Sequence, residues 1–554
     1  MTGEPDGPRA EVLVIGAGAS GACVAWSLAR AGVDVLCLEQ GDWLADEDLP
    51  KSHQDWAVRS RHEWNPNPAL RRGPFDYPVD NRGGNPVNTY VYSAVGGSAV
   101  GWGGAFWRFS PSDFATHRTD GFGRDWPFGY EELEPYYEIN EAQMGVSGAA
   151  GDPTHPCTSA PPLPPVSMGS MGHRWIAGFE ELGWYWWVQH LAIASRDYRG
   201  RPACSNRGFC TAGCPTGALA VPGTTYWPEA LAAGARLETR ARVRRVTVDA
   251  DGRATGAEYY DAAGELRWAT ADLVVIAGNG LGTPRLLLMS ASPEHPGGLA
   301  NSSGAVGRGL MIHPQTSVVA HFGERTDADH GPWGATATTR HFYETDPAND
   351  FQRGFIITAM RGFNPLDTAL QTAPWGAGHH RALEKHLNHE AVLWVCGDDA
   401  AEEHNLVRLD HENLDAWGLP GVITEYTMSE NSRRMMETGL ARATELARAA
   451  GADSVRSFGL ESPHGWHLLG TARMGDDPRD SVVDARNRSH DVENLYIVDG
   501  STMPAGGTVN PTNTVQAVAL RAADHMIATR EEWSRSLLDR SGLNRRWRGA
   551  PGRR

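Results

Sequence analysis

The stretch VLVIGAGASGACVAWSLARAGVDVLCLE, Val12 to Glu39, decides how the chain begins. Its first residues form a short apolar run, which predicts a buried strand. Three glycines follow at G-x-G-x-x-G spacing (Gly16, Gly18, Gly21), then an Ala/Leu-rich helix, then a second apolar run that ends on an acid. Each glycine has a physical reason in such a unit. Gly16 makes the tight turn, Gly18 lets the backbone approach a pyrophosphate, and Gly21 lets helix and strand pack closely with the helix N-terminus facing the phosphates. Glu39 then stands where a ribose hydroxyl needs an acceptor. Strand, turn, helix and strand together predict a domain that binds FAD or NAD(P).

Working outward, 554 residues exceed one ordinary domain, and 41% apolar content supports large buried cores. Two domains are expected. The net charge of -17 argues against nucleic acid or an anionic membrane as partner. No run of about 20 apolar residues occurs, and the start MTGEPDGPRAE lacks the pattern of a signal peptide, so a cytoplasmic protein with no membrane partner is expected. Seven cysteines in so long a chain do not make a disulfide scaffold.

From about 51 to 89 a Trp-, Pro- and Asn-rich segment reads as a lid or interface excursion. VYSAVGGSAVGWGGAFWR follows, with glycines too dense for a regular element and suited to backbone lying against a flat ligand. Within it, GGSAVGWGGAFWR resembles the first signature of the glucose-methanol-choline (GMC) flavoprotein oxidoreductases. LVVIAGNGLGTPRLLLMS (273–290) is similar to the second signature, with Gly282, Thr283 and Pro284 in its G-S/T-P slot, and VGRGLMIHP (306–314) matches the family's V-G-x-x-L-x-x-H-P element. ARVRRVTVDADGRATGAEYY predicts a strand pair. Between 315 and 462, strand-like runs and a helix at 429–450 predict a largely antiparallel sheet.

The resemblance implies an α/β fold, a Rossmann-like FAD-binding domain plus a substrate domain with a largely antiparallel sheet. The FAD domain is expected to be discontinuous (8–50, 90–150, 225–314 and 463–530), with a linker or insert at 151–224, the substrate domain at 315–462 and an Arg-rich tail at 531–554. It further implies a cofactor-binding set of Gly16, Gly18, Ser20, Gly21, Glu39, Gly97, Ser98, Gly103, Gly104, Ala105, Val243, Asp499, Gly500, Asn510 and Thr512. SPHGWHLLGTARMG and GGTVNPTNTVQAVALRAADHM resemble the C-terminal GMC elements, which puts His467 in the place of the catalytic histidine and Asn510 in the second active-site position. His464, three residues from His467, reads as a hydrogen-bonded core histidine. The run Trp184-Tyr185-Trp186-Trp187 would suit sugar rings, with ordinary packing preferred.

The implied activity is oxidation of a CH–OH group of a sugar, glycoside or polyol, a secondary alcohol becoming a ketone by hydride transfer to flavin N5 with a histidine general base. Two alternatives stay open: a tailoring enzyme for a natural-product or aryl alcohol, and a non-redox flavoprotein such as a lyase. The electron acceptor, dioxygen or a quinone, and a homo-oligomeric state are left open. Some family members tether the flavin to a histidine of the glycine loop; Gly101 takes that position here, so the FAD is expected to be non-covalent. CSNRGFCTAGCPTGA, with Cys204, Cys210 and Cys214, resembles an element that carries an iron–sulfur cluster in some relatives, and thiolates are the usual ligands of such clusters. The cluster is not the favoured reading, and no metal site is assigned.

Overall fold

A computed structural model describes residues 7–157, 159–334, 336–372, 375–460 and 464–534. The expected Arg-rich tail lies outside the described residues from 535 onward. Its first residues belong to a helical turn, Arg530–Trp533, docked by Arg530 on Glu11 at 2.5 Å, with Trp533 buried.

The strand Arg9–Ile15 sits in the middle of a seven-stranded sheet, parallel to Val35–Leu38 on one side and to Leu266–Ile276 on the other. Arg236–Glu238 extends the parallel part beyond Val35–Leu38, and Leu495–Ile497 pairs with Leu266–Ile276. Arg242–Val248 and Ala254–Tyr260 complete the sheet as an antiparallel meander. Val12, Leu13 and Val14 are fully buried because both faces are covered, and for this reason the strand reads as a continuous apolar run. One face carries the helix Ala19–Arg30, which packs on the helices Pro222–Ala232 and Thr512–Ala528. The other carries an aromatic cluster that includes Trp107, Phe109, Phe114, Trp126 and Tyr137.

A second sheet of six strands is antiparallel throughout, in the order Ser454–Ser457, Gln315–His321, Glu390–Gly397, Phe355–Ala359, Ala337–Thr339, Trp187–Val188. Its edge strand comes from the 151–224 insert. Period-two alternation gives its strands two faces. Val318, Leu393, Val395, Phe355 and Ile357 pack on the helices Glu430–Ala449 and Gly169–Glu181. Gln315, Ser317, Val392, Trp394 and Thr358 point the other way, into a cavity.

Two features differ from the expectations for this region. The runs NLVRLD and VITEYTM form Leu406–Leu414 and Pro420–Glu425, but these leave the six-stranded sheet for a separate three-stranded one. The third strand there is Val79–Arg82, parallel to Pro420–Glu425, so the 51–89 excursion is bound into regular structure by a strand too short to announce itself. Asn88–Thr89 likewise pairs with His464–Gly465.

Candidate functional site

Between the two sheets lies a cavity of about 840 Å³. Of the residues assigned above, Gly16, Gly18, Ser20, Glu39, Gly97, Ser98, Gly103, Gly104, Ala105, Val243, His467, Asp499, Gly500, Asn510 and Thr512 all line it. Gly21 does not line it. A side chain there would strike the Gly16 carbonyl oxygen at 2.0 Å, so Gly21 serves the approach of helix to strand. The excursion also reaches the wall, through Tyr77 and Asn88.

The fit to a dinucleotide can be tested residue by residue. Gly16 has φ +106°, open to glycine at low cost. At Gly18 an added Cβ would meet no protein atom nearer than 3.6 Å, and at Gly103 none within 4 Å. No protein neighbour demands a glycine at these two positions; what they leave is a smooth wall for a ligand. The N-termini of Ala19–Arg30 and Thr512–Ala528 both open on the cavity, and unpaired N–H groups at helix starts suit phosphate oxygens. Glu39 is buried, and its two oxygens each accept a backbone N–H, from Ala17 and Gly41, at 2.8 Å. This holds the carboxylate in the wall; burial pushes its pKa up against those two bonds. Asp499 accepts from Thr283 Oγ1 at 2.6 Å and from the Ser501 N–H at 2.8 Å, which joins the end of Leu495–Ile497 to the helix Asn279–Met289. Gly101 turns away from the cavity, its Cβ position taken by the Tyr92 ring at 2.5 Å.

At the other end of the cavity three side chains form a chain. Met311 and Leu469 make an antiparallel bridge, with backbone bonds of 3.1 and 3.0 Å. Two residues along, that register sets His313 opposite His467. Their Nδ1 atoms are 2.7 Å apart, while His313 Nε2 lies 3.1 and 2.8 Å from the carbonyl oxygens of Gly506 and Gly507. Carbonyls only accept, so His313 carries its proton on Nε2. In the neutral ring its Nδ1 is then the acceptor, and His467 Nδ1–H the donor. The lone pair of His467 is therefore on Nε2, 3.4 Å from Asn510 Nδ2, a donor. Burial holds His313 down to about 4; burial, and then the His313 charge, hold His467 well below the usual histidine value. Both rings are neutral near pH 7. Asn510 Oδ1 is buried and, among the described residues, has no hydrogen-bond partner.

His313 carried no assignment in the sequence reading, although it stands in the HP element; its neighbour His467 is remote in sequence. His464 is corrected. It is exposed, in the cavity wall, edge-on to Tyr90 at 5.4 Å, and not in the core. The Trp184–Trp187 run packs elsewhere: Trp184 stacks on His341 and Trp187 Nε1–H donates to the Ala149 carbonyl. The indoles in the wall are Trp102, Trp333, Trp394 and Trp466. Cys204, Cys210 and Cys214 gather against one core cluster near Thr211 of the cavity wall, and burial pushes the Cys210 thiol up to about 12. Among the described residues their sulfurs do not converge within 4.8 Å, as ligands of a single ion would. Among the described residues, too, no helix is long and apolar enough to cross a membrane.

Comparison with known proteins places this geometry in context. Family models described as GMC oxidoreductase match residues 10–315 and 401–519. A 2-methyl-1,2-propanediol dehydrogenase of Mycolicibacterium austroafricanum is 40% identical, covering 94% of this chain and 95% of that protein. A fructose dehydrogenase large subunit of Gluconobacter japonicus is 33% identical over 94% of this chain and 98% of its own length. A 6'''-hydroxyparomomycin C oxidase of Streptomyces lividus is also 33% identical, over 94% and 92%. Among solved structures, formate oxidase of Aspergillus oryzae shares the fold at TM-score 0.64 and 17% identity, covering 96% of this chain and 100% of that one.

Proposed function

Because the chain belongs to the GMC oxidoreductase family and is an FAD-dependent oxidoreductase acting on CH–OH groups, we propose that His467 is its general base and that its substrates are sugars, glycosides or related polyols. The observation that carries this reading is the chain from Gly506 and Gly507 through His313 to His467, which leaves the Nε2 lone pair beside Asn510 in the cavity wall. Alcohols are very poor acids, so loss of hydride from carbon becomes easy only as the hydroxyl proton leaves. His467 Nε2 takes that proton. Asn510 Nδ2 lies within reach of the same oxygen and holds it in place, contributing position and a dipole. The carbon loses its hydride and the C–O bond becomes a carbonyl. Bound FAD supplies the two-electron oxidant that accepts the hydride, and Gly18, Gly103, Asp499 and the two helix N-termini are the residues proposed to hold it.

Three features support the substrate class. Indoles stand in the cavity wall, polar side chains such as Gln189, Ser317 and Thr358 stand among them, and relatives are named for fructose, a propanediol and a paromomycin. Anaerobic addition of a panel of sugars, glycosides, polyols and benzylic alcohols tests the proposal. Bleaching of the flavin by members of the first three groups is the expected result. Bleaching by benzylic alcohols alone would replace it with an aryl-alcohol enzyme, and no bleaching at all would sink it.

A further inference from the structure

Gln315 begins a strand of the six-stranded sheet, is 8% exposed, and lies in the cavity wall. Trp394 stands on the same face of the neighbouring strand, opposite Ser317, and its Nε1–H meets Gln315 Oε1 at 3.2 Å. An indole N–H can only donate, so this contact settles which way the amide faces: oxygen to Trp394, NH2 away from it. That Nε2 is buried and, among the described residues, has no hydrogen-bond partner. A buried donor left unmade is costly, and native structures rarely tolerate one without a reason.

The register says what stands beside Gln315. Gln315 is paired across the sheet with Cys396, and Cys396 Sγ lies within 4.8 Å of ring nitrogens of both His313 and His467. Cross-strand partners have Cβ atoms about 4.5–5.5 Å apart. Gln315 therefore stands beside Cys396, which borders both histidines, on the sheet side of the cavity, while Asn510 meets His467 from the segment before the helix Thr512–Ala528.

We propose that Gln315 is a specificity-determining residue whose Nε2–H donates to an oxygen on the carbon adjacent to the one oxidised. The substrate class is then a vicinal oxygen pair, a 1,2-diol or the adjacent hydroxyls of a sugar or glycoside, and not an isolated alcohol. One oxygen of the pair meets His467 and Asn510, and the other accepts from Gln315. Trp394, in fixing the amide, also offers the apolar ring face that a substrate's C–H groups cover. The inference rests on the reading of His467 as base toward such alcohols, and the test separates the two.

The best-reducing alcohol of the anaerobic panel is compared with its analogue lacking the neighbouring oxygen, by the rate of flavin reduction against substrate concentration. Wild-type protein is expected to prefer the vicinal substrate by about 10- to 100-fold, since its analogue leaves the amide unpaired. Gln315→Glu keeps the acceptor for Trp394 and replaces the donor; Gln315→Met keeps the length and removes both. In each, with FAD retained, the preference is expected to shrink to about threefold or less, mainly by loss of rate on the vicinal substrate. An undiminished preference in both variants overturns the inference. So does a wild-type protein that reduces with both compounds equally, which needs no variant, or a best substrate with no neighbouring oxygen. If no alcohol bleaches the flavin, the reading of the base fails and takes this inference with it, whereas equal bleaching by both compounds leaves that reading standing.

Discussion

His467 and His464 differ in what their nitrogens meet, and the chemistry follows from that. His467 has one nitrogen committed to His313 and the other beside Asn510, whereas His464 is exposed against Tyr90. His467→Ala is expected to keep FAD and lower the flavin reduction rate by about two to four orders of magnitude, with Asn510→Ala smaller and His464→Ala near wild type, all measured by anaerobic stopped flow. Full activity in His467→Ala would remove the proposed base. The pH dependence has a definite sign. With its pKa lowered, His467 stays a neutral base as pH falls past 6.5, so the acid limb of the rate profile is expected below that value. His313→Leu removes the neighbouring charge, and the limb is expected to move up. His467 and Asn510 were legible because they stand in local runs that resemble the family. His313 was not, because its tautomer depends on Gly506 and Gly507, nearly 200 residues on. Gly507, at φ +65° with the Phe109 ring 3.0 Å from its Cβ position, shows that this loop is shaped to bring its carbonyls there.

At the scale of elements, the wall of the site leans on a buried charge network. Arg353, with no exposure, donates from Nε to Asp398 at 3.0 Å and from Nη2 to Asp113, while Asp113 also accepts from Tyr343 at 2.7 Å. Next along, Asp399 accepts the Ile312 N–H and the Tyr426 hydroxyl at 3.0 and 2.9 Å, so the network ends one residue from His313. Arg353→Met leaves two buried carboxylates without their cation. It is expected to cost about 3–5 kcal/mol in chemical denaturation, and a loss under about 1 kcal/mol would show that the network is not holding these loops. The nucleotide-binding unit was legible since strand, turn and helix are contiguous and each glycine has a local reason. The strands Val79–Arg82 and Asn88–Thr89 were not, because they are only four and two residues long and exist through distant partners.

Over the whole molecule, the cavity is enclosed by parts remote in sequence, with Gly101 turned away under Tyr92. Acid precipitation is expected to release the yellow colour into the supernatant, and metal analysis to find FAD without iron. Colour held in the pellet, or about three irons per FAD lost in Cys210→Ser, would overturn these two expectations in turn. Among the described residues, the six-stranded sheet meets the cavity with one face and the helices with the other, so residues that line the cavity alternate with those that pack on the helices. Ser317, Thr358 and Val392 are thus separated from the helix-packed layer by the thickness of the backbone, whereas Trp394 also packs on a core cluster. A library confined to the first three positions would alter which alcohol is accepted while leaving the fold's packing unedited, as if one side of a panel were repainted.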